Sequence, residues 1–101
     1  MIIKEKISLG LFNPLFIKVV VDIEQEIISA GGELHSDCME ELLNSGSSPK
    51  DLWGANIYPT DKKIDFVSLI NIRPLDNNRS MDIGNTVIKE RIEAIIKKLL
   101  F

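Results

Sequence analysis

FIKVVVDI, residues 16–23, is the clearest strand signal in this chain. Every second residue from Ile17 to Ile23 is isoleucine or valine, whereas Lys18 and Asp22 fall on the other parity. Because successive side chains of a strand point to opposite faces of a sheet, this alternation predicts one face that is buried in a core. We therefore build the fold outward from a strand at this position.

A second apolar run follows this strand closely. Residues 26–30 also favour a strand, so we expect an antiparallel hairpin that turns near Glu24 and Gln25. Gly31 and Gly32 then end the second strand, because glycine leaves the backbone free to turn.

The rest of the chain predicts further strands and two helices. Apolar residues recur at helical spacing after the glycine pair and again near the C-terminus. Ser36 or Asp37 is suited to cap the first of these helices, and Gly46 is suited to close it. The predicted elements are a short edge strand at 1–7, a connector at 8–15, an amphipathic helix over 34–43, strands at 52–58 and 64–73, and a helix from Thr86 to the C-terminus.

The order strand, hairpin, helix, hairpin, helix predicts a single α+β domain, residues 1–101. We expect a mainly antiparallel sheet of about four to five strands with the two helices packed on one face. Residues 64–73 carry apolar side chains on both faces, which favours a place near the centre of the sheet.

Composition argues against several classes of protein. The chain has 101 residues, 45% of them hydrophobic, which allows one small core. Because a core of this size gives limited stability, a homodimer interface that buries further apolar surface is favoured. A net charge of −3 argues against a nucleic-acid partner. No apolar stretch approaches the roughly 18 residues of a membrane span. The one cysteine, Cys38, cannot form an internal disulfide, and the N-terminus lacks the pattern of a signal peptide, so we expect a cytoplasmic protein without a membrane partner.

The second hairpin concentrates polar and aromatic residues at one end of the sheet. If this hairpin closes evenly around its loop, residues 59–63, then Trp53, Asn71 and Arg73 come together. Such a cluster is suited to holding a planar or anionic group. Alternatively, Arg73 pairs with a carboxylate such as Asp51 and stacks on Trp53 to seal the sheet edge.

Asn78 and Arg79 lie in the loop that follows. A loop of small hydrogen-bond donors with one cation is suited to binding an anion or a partner. The asparagines of this loop are equally suited to making turns.

Glu33, His35 and Asp37 alternate just before the first helix. An imidazole that a carboxylate orients is suited to general acid or base catalysis, so His35 is the candidate catalytic residue, with Glu33 or Asp37 as its partner. A lone histidine at a helix start also serves as a surface or capping residue. Cys38 falls on the apolar stripe, where core packing is the default role and nucleophilic catalysis the alternative. No spacing is typical of a zinc or calcium site, so we expect neither a metal nor another cofactor.

Five short strings form a joint pattern along the chain. They are VVDIE at 20–24, GGELH at 31–35, DLWGANIYP at 51–59, NIRP at 71–74 and NRS at 78–80. Together they resemble a small prokaryotic family, domain of unknown function family 5674, over nearly the whole chain from Phe16 onward. The resemblance implies a family with no established activity, so it assigns no substrate and no mechanism.

Three functions fit these features. The first is a binding or interaction domain that recognises an anionic small molecule or a partner peptide through Trp53, Asn71, Arg73, Asn78 and Arg79. The second is a small hydrolase of a phosphate-bearing or nucleotide-like substrate, with His35 as acid or base and the two arginines stabilising negative charge. The third is a structural oligomer subunit without a site. Because no complete catalytic constellation is present, the pattern favours binding over catalysis.

Overall fold

The computed structural model describes all 101 residues and contains five strands and two α-helices. This order confirms the predicted α+β class and the succession strand, hairpin, helix, hairpin, helix. No helix combines the length and the apolar character that crossing a bilayer requires. The elements are β1 (Ile2–Ile3), β2 (Ile17–Asp22), β3 (Ile27–Ala30), α1 (His35–Asn44), β4 (Leu52–Tyr58), β5 (Lys63–Asp65) and α2 (Thr86–Leu100).

The strands form one antiparallel sheet in the order β1-β3-β2-β4-β5. β2 lies at the centre, where Val20 pairs with Ser29 of β3 on one side and with Gly54 of β4 on the other. β1 is only two residues long and lies at an edge, as predicted. The strand predicted from residues 16–23 is therefore the central strand of the sheet.

The two helices lie on opposite faces of the sheet, so the prediction of one shared face is wrong. Val19 and Val21 belong to a core cluster with α2, which contributes Ile92, Ile95, Ile96, Leu99 and Leu100. Val20 belongs to a separate cluster with Cys38 and Leu42 of α1. The reason is the unbroken Val19-Val20-Val21 run: a central strand that is apolar on both parities needs a cover on both faces.

β5 is a three-residue edge strand, so the prediction of a long central strand at 64–73 is also wrong. Tyr58 pairs with Lys63, and Lys62 adopts a positive φ of +52° in the intervening turn. The chain leaves the sheet after Asp65 and forms a 3₁₀ turn at Leu69–Asn71. Residues 64–73 are apolar on both parities because most of this segment packs as an irregular chain and not as a strand. Ile70, for example, packs against the core cluster that contains Cys38 and Leu42 of α1.

Asp22 organises the turn of the first hairpin. Its carboxylate is fully buried and accepts hydrogen bonds from the backbone N–H groups of Glu24 and Gln25, both at 2.9 Å. The Ser47 hydroxyl and the Gln25 side-chain amide donate to its second oxygen at 2.7 and 3.0 Å. Four donors thus replace water around this carboxylate.

Candidate functional site

Arg73 stacks on Trp53 at one end of the sheet. The guanidinium carbon lies 4.0 Å from the centre of the indole ring, and the tryptophan is only 3% exposed. Nη1 of Arg73 donates to the carbonyl oxygens of Pro49 and Lys50 at 3.1 and 3.2 Å. The nearest carboxylate oxygen, on Asp76, is 3.9 Å from Nη1. Arg73 therefore seals the sheet edge through carbonyl groups and the indole ring, without a close ion pair.

Two buried donors in this stack have no acceptor. Nε1 of Trp53 and Nη2 of Arg73 make no hydrogen bond, although both atoms are shielded from solvent. Burial lowers the pKa of Arg73, and the charges of Asp76 and Asp51 counteract this shift in part. Buried polar groups are nearly always paired in native proteins, so two adjacent unpaired donors mark this end of the sheet as unusual.

A cavity of about 310 Å³ lies next to Trp53, and one of about 420 Å³ lies at the far end of the sheet. The cavity next to Trp53 opens at the N-terminus of α2, where the side chain of Asn85 accepts from the N–H groups of Val87 and Ile88. The residues that line it are Trp53, Asp76, Asn77, Asn78, Gly84, Asn85 and Ile88.

Asn71 completes the sheet with its side chain. Because β5 ends at Asp65, Gly54 of β4 has no strand neighbour on that side. Oδ1 of Asn71 accepts from the Gly54 N–H at 2.8 Å, and Nδ2 donates to the Gly54 oxygen at 3.0 Å. Nδ2 also donates to the carbonyl oxygens of Phe66 and Met81. The contacts of this fully buried amide are thus internal.

Asn78 holds the following loop in the same manner. Its Nδ2 donates to the carbonyl oxygens of Asn71, Ser80 and Asp82, and its Oδ1 accepts from the Gly84 N–H at 2.9 Å. Arg79, the next residue, is exposed. The predicted binding residues therefore have different roles. Asn71 and Asn78 hold the backbone around the site, whereas the two donors without acceptors belong to Trp53 and Arg73.

His35 lies at the start of α1, on the other face of the sheet. Its Nε2 is 2.9 Å from the carbonyl oxygen of Ala55. A carbonyl can only accept, so Nε2 carries the hydrogen and the neutral ring keeps Nδ1 as an acceptor. Burial lowers the pKa of His35 and the charge of Lys18 adds to this shift, whereas the Ala55 and Asn56 contacts and the charge of Asp65 oppose it.

Three polar residues form a row beneath this histidine. The register places Lys18 of β2 opposite Asn56 of β4, and Asn56 opposite Asp65 of β5. Asp65 accepts from Nδ2 of Asn56 at 2.6 Å and from the Tyr58 hydroxyl at 2.9 Å. The sequence did not predict that Lys18, Tyr58 and Asp65 belong to this row. The one available signal was that Lys18 and Asp22 share a parity, and it does not show which residues of β4 and β5 lie beside Lys18.

Neither predicted carboxylate partner bonds to the imidazole. Asp37 accepts from the Leu34 N–H at 3.1 Å and so caps α1, while the backbone oxygen of Glu33 accepts from Lys18. Because His35 lies on the α1 face and Trp53 packs in the α2 cluster, His35 and the Arg73 stack do not share a cleft. The hydrolase hypothesis requires that they do, so the geometry lends it no support.

Cys38 and the acidic residues form no metal centre. Cys38 is buried in the α1 core cluster, 3.9 Å from the Lys18 carbonyl oxygen. No three histidine, cysteine or acidic side chains come together in a group that could hold a metal ion.

Comparison with known proteins assigns the chain to a family without assigning a function. No curated protein and no solved structure matches it. Residues 3–99 match the family described as protein of unknown function (DUF5674), which confirms the resemblance carried by the five strings. The chain therefore belongs to the DUF5674 family.

Proposed function

We propose that this protein is a binding module that takes a small anion, a carboxylate or phosphate group, in the cavity beside Trp53. The observation that carries the proposal is the pair of buried donors without acceptors, Nε1 of Trp53 and Nη2 of Arg73. Trp53 lines this cavity, whereas Arg73 lies behind the indole ring, and both donors are shielded from solvent, so binding requires the side chains at the cavity to shift. A ligand oxygen that then accepts from either donor removes a cost of about 1–3 kcal/mol for an unsatisfied buried group.

The electrostatics of the site favour a negative charge. Arg73 is a largely buried cation whose nearest carboxylate oxygen is 3.9 Å away, so an anion would compensate it better than its present neighbours do. The N-terminus of α2 adds the positive end of a helix dipole, although Asn85 already caps two of its N–H groups. Asp76 lines the same cavity and opposes anion binding.

Arg79 supplies a second cation that is available to a ligand. It is exposed and directly follows Asn78, which lines the cavity. We propose that it attracts the anion, while the Arg73 stack holds it. A partner peptide would present the same chemistry through an acidic side chain or its terminal carboxylate. Homodimer formation and a cytoplasmic location stay predictions.

The indole N–H of Trp53 provides a direct test, because this is the only tryptophan in the chain. Its single ¹H–¹⁵N resonance should move downfield and saturate as inorganic phosphate is added at constant ionic strength. Asp76→Asn should tighten phosphate binding about 2- to 5-fold, and Arg79→Gln should weaken it by a similar factor.

Two controls keep this test specific. Lys63→Gln, an exposed charge change on β5, should leave phosphate affinity unchanged. Trp53→Phe preserves the aromatic stack without the N–H, and should reduce the increase in melting temperature that phosphate causes. An indole resonance that stays in place through the millimolar range of phosphate would sink the proposal and favour a structural subunit without a site.

A further inference from the structure

The sheet splays open at the end opposite to Trp53. β3 ends at Ala30, which pairs with Val19, whereas β2 continues towards the N-terminus to Ile17. Gly31 adopts φ of +88° and turns the chain away, so β2 loses its neighbour on this side. A cavity of about 420 Å³ occupies the gap.

The walls of this cavity combine four apolar or aromatic side chains with one cation, one carboxylate, one amide and two glycines. Its lining residues are Leu11, Phe12, Asn13, Phe16, Ile17, Lys18, Gly31, Gly32 and Glu33. A cavity in the range of about 300–1,000 Å³ with mostly apolar walls and few polar groups is typical of small-molecule sites. The connector at residues 8–15 thus forms part of a pocket instead of merely linking two strands.

Lys18 is held in place at this cavity. Its Nζ donates to the backbone oxygen of Glu33 at 2.8 Å and lies 5.9 Å from the centre of the Phe16 ring. An ammonium group has three donors, so two remain for a ligand. The backbone N–H groups of residues 31–33 also make no hydrogen bond within the chain. Lys18 is therefore the one cationic donor in the lining, beside the acceptor oxygens of Asn13 and Glu33.

We infer that this cavity, which we call the Lys18 pocket, is a second binding site that takes a small apolar carboxylate, with its aromatic or aliphatic body against Phe12 and Phe16 and its carboxylate on the Lys18 ammonium. The inference does not rest on the proposed anion site, which lies at the other end of β2. Glu33 is the one acidic residue in the lining, and its charge weakens binding of such a ligand.

Lys18 connects the pocket to His35. It also lines a neighbouring cavity of about 260 Å³ to which His35, Leu34 and Ser36 contribute. The charge of Lys18 is one of the causes that lower the pKa of His35. A carboxylate bound to Lys18 would offset that charge and raise the pKa of the histidine. As the only histidine of the chain, His35 reports binding through a single set of imidazole resonances.

The test compares 3-phenylpropionate with 3-phenylpropan-1-ol, which has the same apolar body without the charge. Binding is followed by NMR on the intact chain, and the pKa of His35 is measured with and without each probe. We expect the acid to bind about 5-fold more tightly than the alcohol and to raise the pKa of His35, with no shift of the Trp53 indole resonance.

Variants separate the charge from the cavity. Lys18→Met keeps the apolar stem and should abolish the preference for the acid, Lys18→Arg should retain it, and Glu33→Gln should increase it. Lys63→Met, an exposed change on β5, should have no effect. An unshifted Trp53 indole resonance verifies that each variant is folded.

Equal affinity for acid and alcohol, or an unchanged preference in Lys18→Met, would overturn the inference. A shift of the Trp53 resonance without a change in the pKa of His35 would also contradict it, since the acid would then occupy the anion site instead. Because phosphate and phenylpropionate are read out at different residues, failure of one site is distinguishable from failure of the other.

Discussion

Replacement of Asn71 by alanine should destabilise the protein severely, although Asn71 belongs to no strand or α-helix. The side-chain amide is fully buried and forms four hydrogen bonds, two of which satisfy the N–H and C=O groups of Gly54. Alanine leaves these two backbone groups without partners at the free side of β4.

The magnitude follows from the groups that lose their partners. Each buried backbone group left unsatisfied costs about 1–3 kcal/mol, so the two groups of Gly54 together give about 2–6 kcal/mol. The free energy of unfolding of such a domain is about 5–15 kcal/mol in total. Asn71→Ala should therefore remove a large fraction of the stability.

Urea denaturation followed by circular dichroism measures this loss. Asn44→Ala is the matched control, because Asn44 is exposed at the end of α1 and should change stability by no more than about 0.5 kcal/mol. Asn71→Asp keeps an acceptor for the Gly54 N–H but presents a carboxylate oxygen to three carbonyl groups, so it should be at least as harmful as alanine. A loss below about 1 kcal/mol for Asn71→Ala, or wild-type stability for Asn71→Asp at neutral pH, would refute the role assigned to this amide.

Three further predictions concern stability. Gly54→Ala should lower the melting temperature strongly, because a Cβ there would lie 2.6 Å from Cβ and Oγ of buried Ser68, whereas Gly84→Ala meets nothing closer than 3.6 Å and should be tolerated. Asp22→Ala should cost about 2–4 kcal/mol in urea denaturation, since four donors lose a buried carboxylate, although three of them are only partly buried and regain water; a loss within experimental error would contradict the role of Asp22 in the turn. The pKa of His35 is lower in the folded chain than in the unfolded one, so the unfolded state binds more protons between the two values. The contribution of His35 to stability should be complete above pH 6.5, the pKa of this group in the unfolded chain, and should decrease as the pH drops from there towards the pKa in the folded chain. Urea midpoints across this range should show the decrease, and His35→Gln should remove it.

Hydrophobic periodicity along the sequence predicted the first long strand and the last helix well. The 16–23 run predicted β2, and the spacing of isoleucine and leucine near the C-terminus predicted α2 from Thr86 onward, where the structure begins it. Residues 64–73 were misread because apolar residues on both parities fit a buried strand and an irregular segment packed under a helix equally well. Only the packing of Ile70 against the α1 cluster separates the two cases.

The candidate site was predicted only in part. Trp53 and Arg73 were expected together because of an evenly closed hairpin. They do stack, but Arg73 reaches the indole ring from the 3₁₀ turns that follow β5 and not from a paired strand. The roles of Asn71 and Asn78 could not be predicted, since an amide that replaces a strand neighbour has no pattern in the sequence. The Lys18 pocket was equally hidden, because it exists only where β2 and β3 diverge.

The sequence by itself determined the α+β class and the order of the elements, because hydrophobic periodicity acts within a few residues along the chain. The central position in the sheet, which the sequence assigned to residues 64–73, belongs to β2. The tertiary structure alone decided which side chains meet across the strands. An even closure over a five-residue loop would set Asn56 opposite Phe66, whereas the observed pairing of Tyr58 with Lys63 sets it opposite Asp65. Since a strand alternates its faces at every residue, this shift by one position moves each side chain of β5 to the other face of the sheet. The polar row beneath His35 therefore depends on a turn geometry that composition and periodicity do not encode.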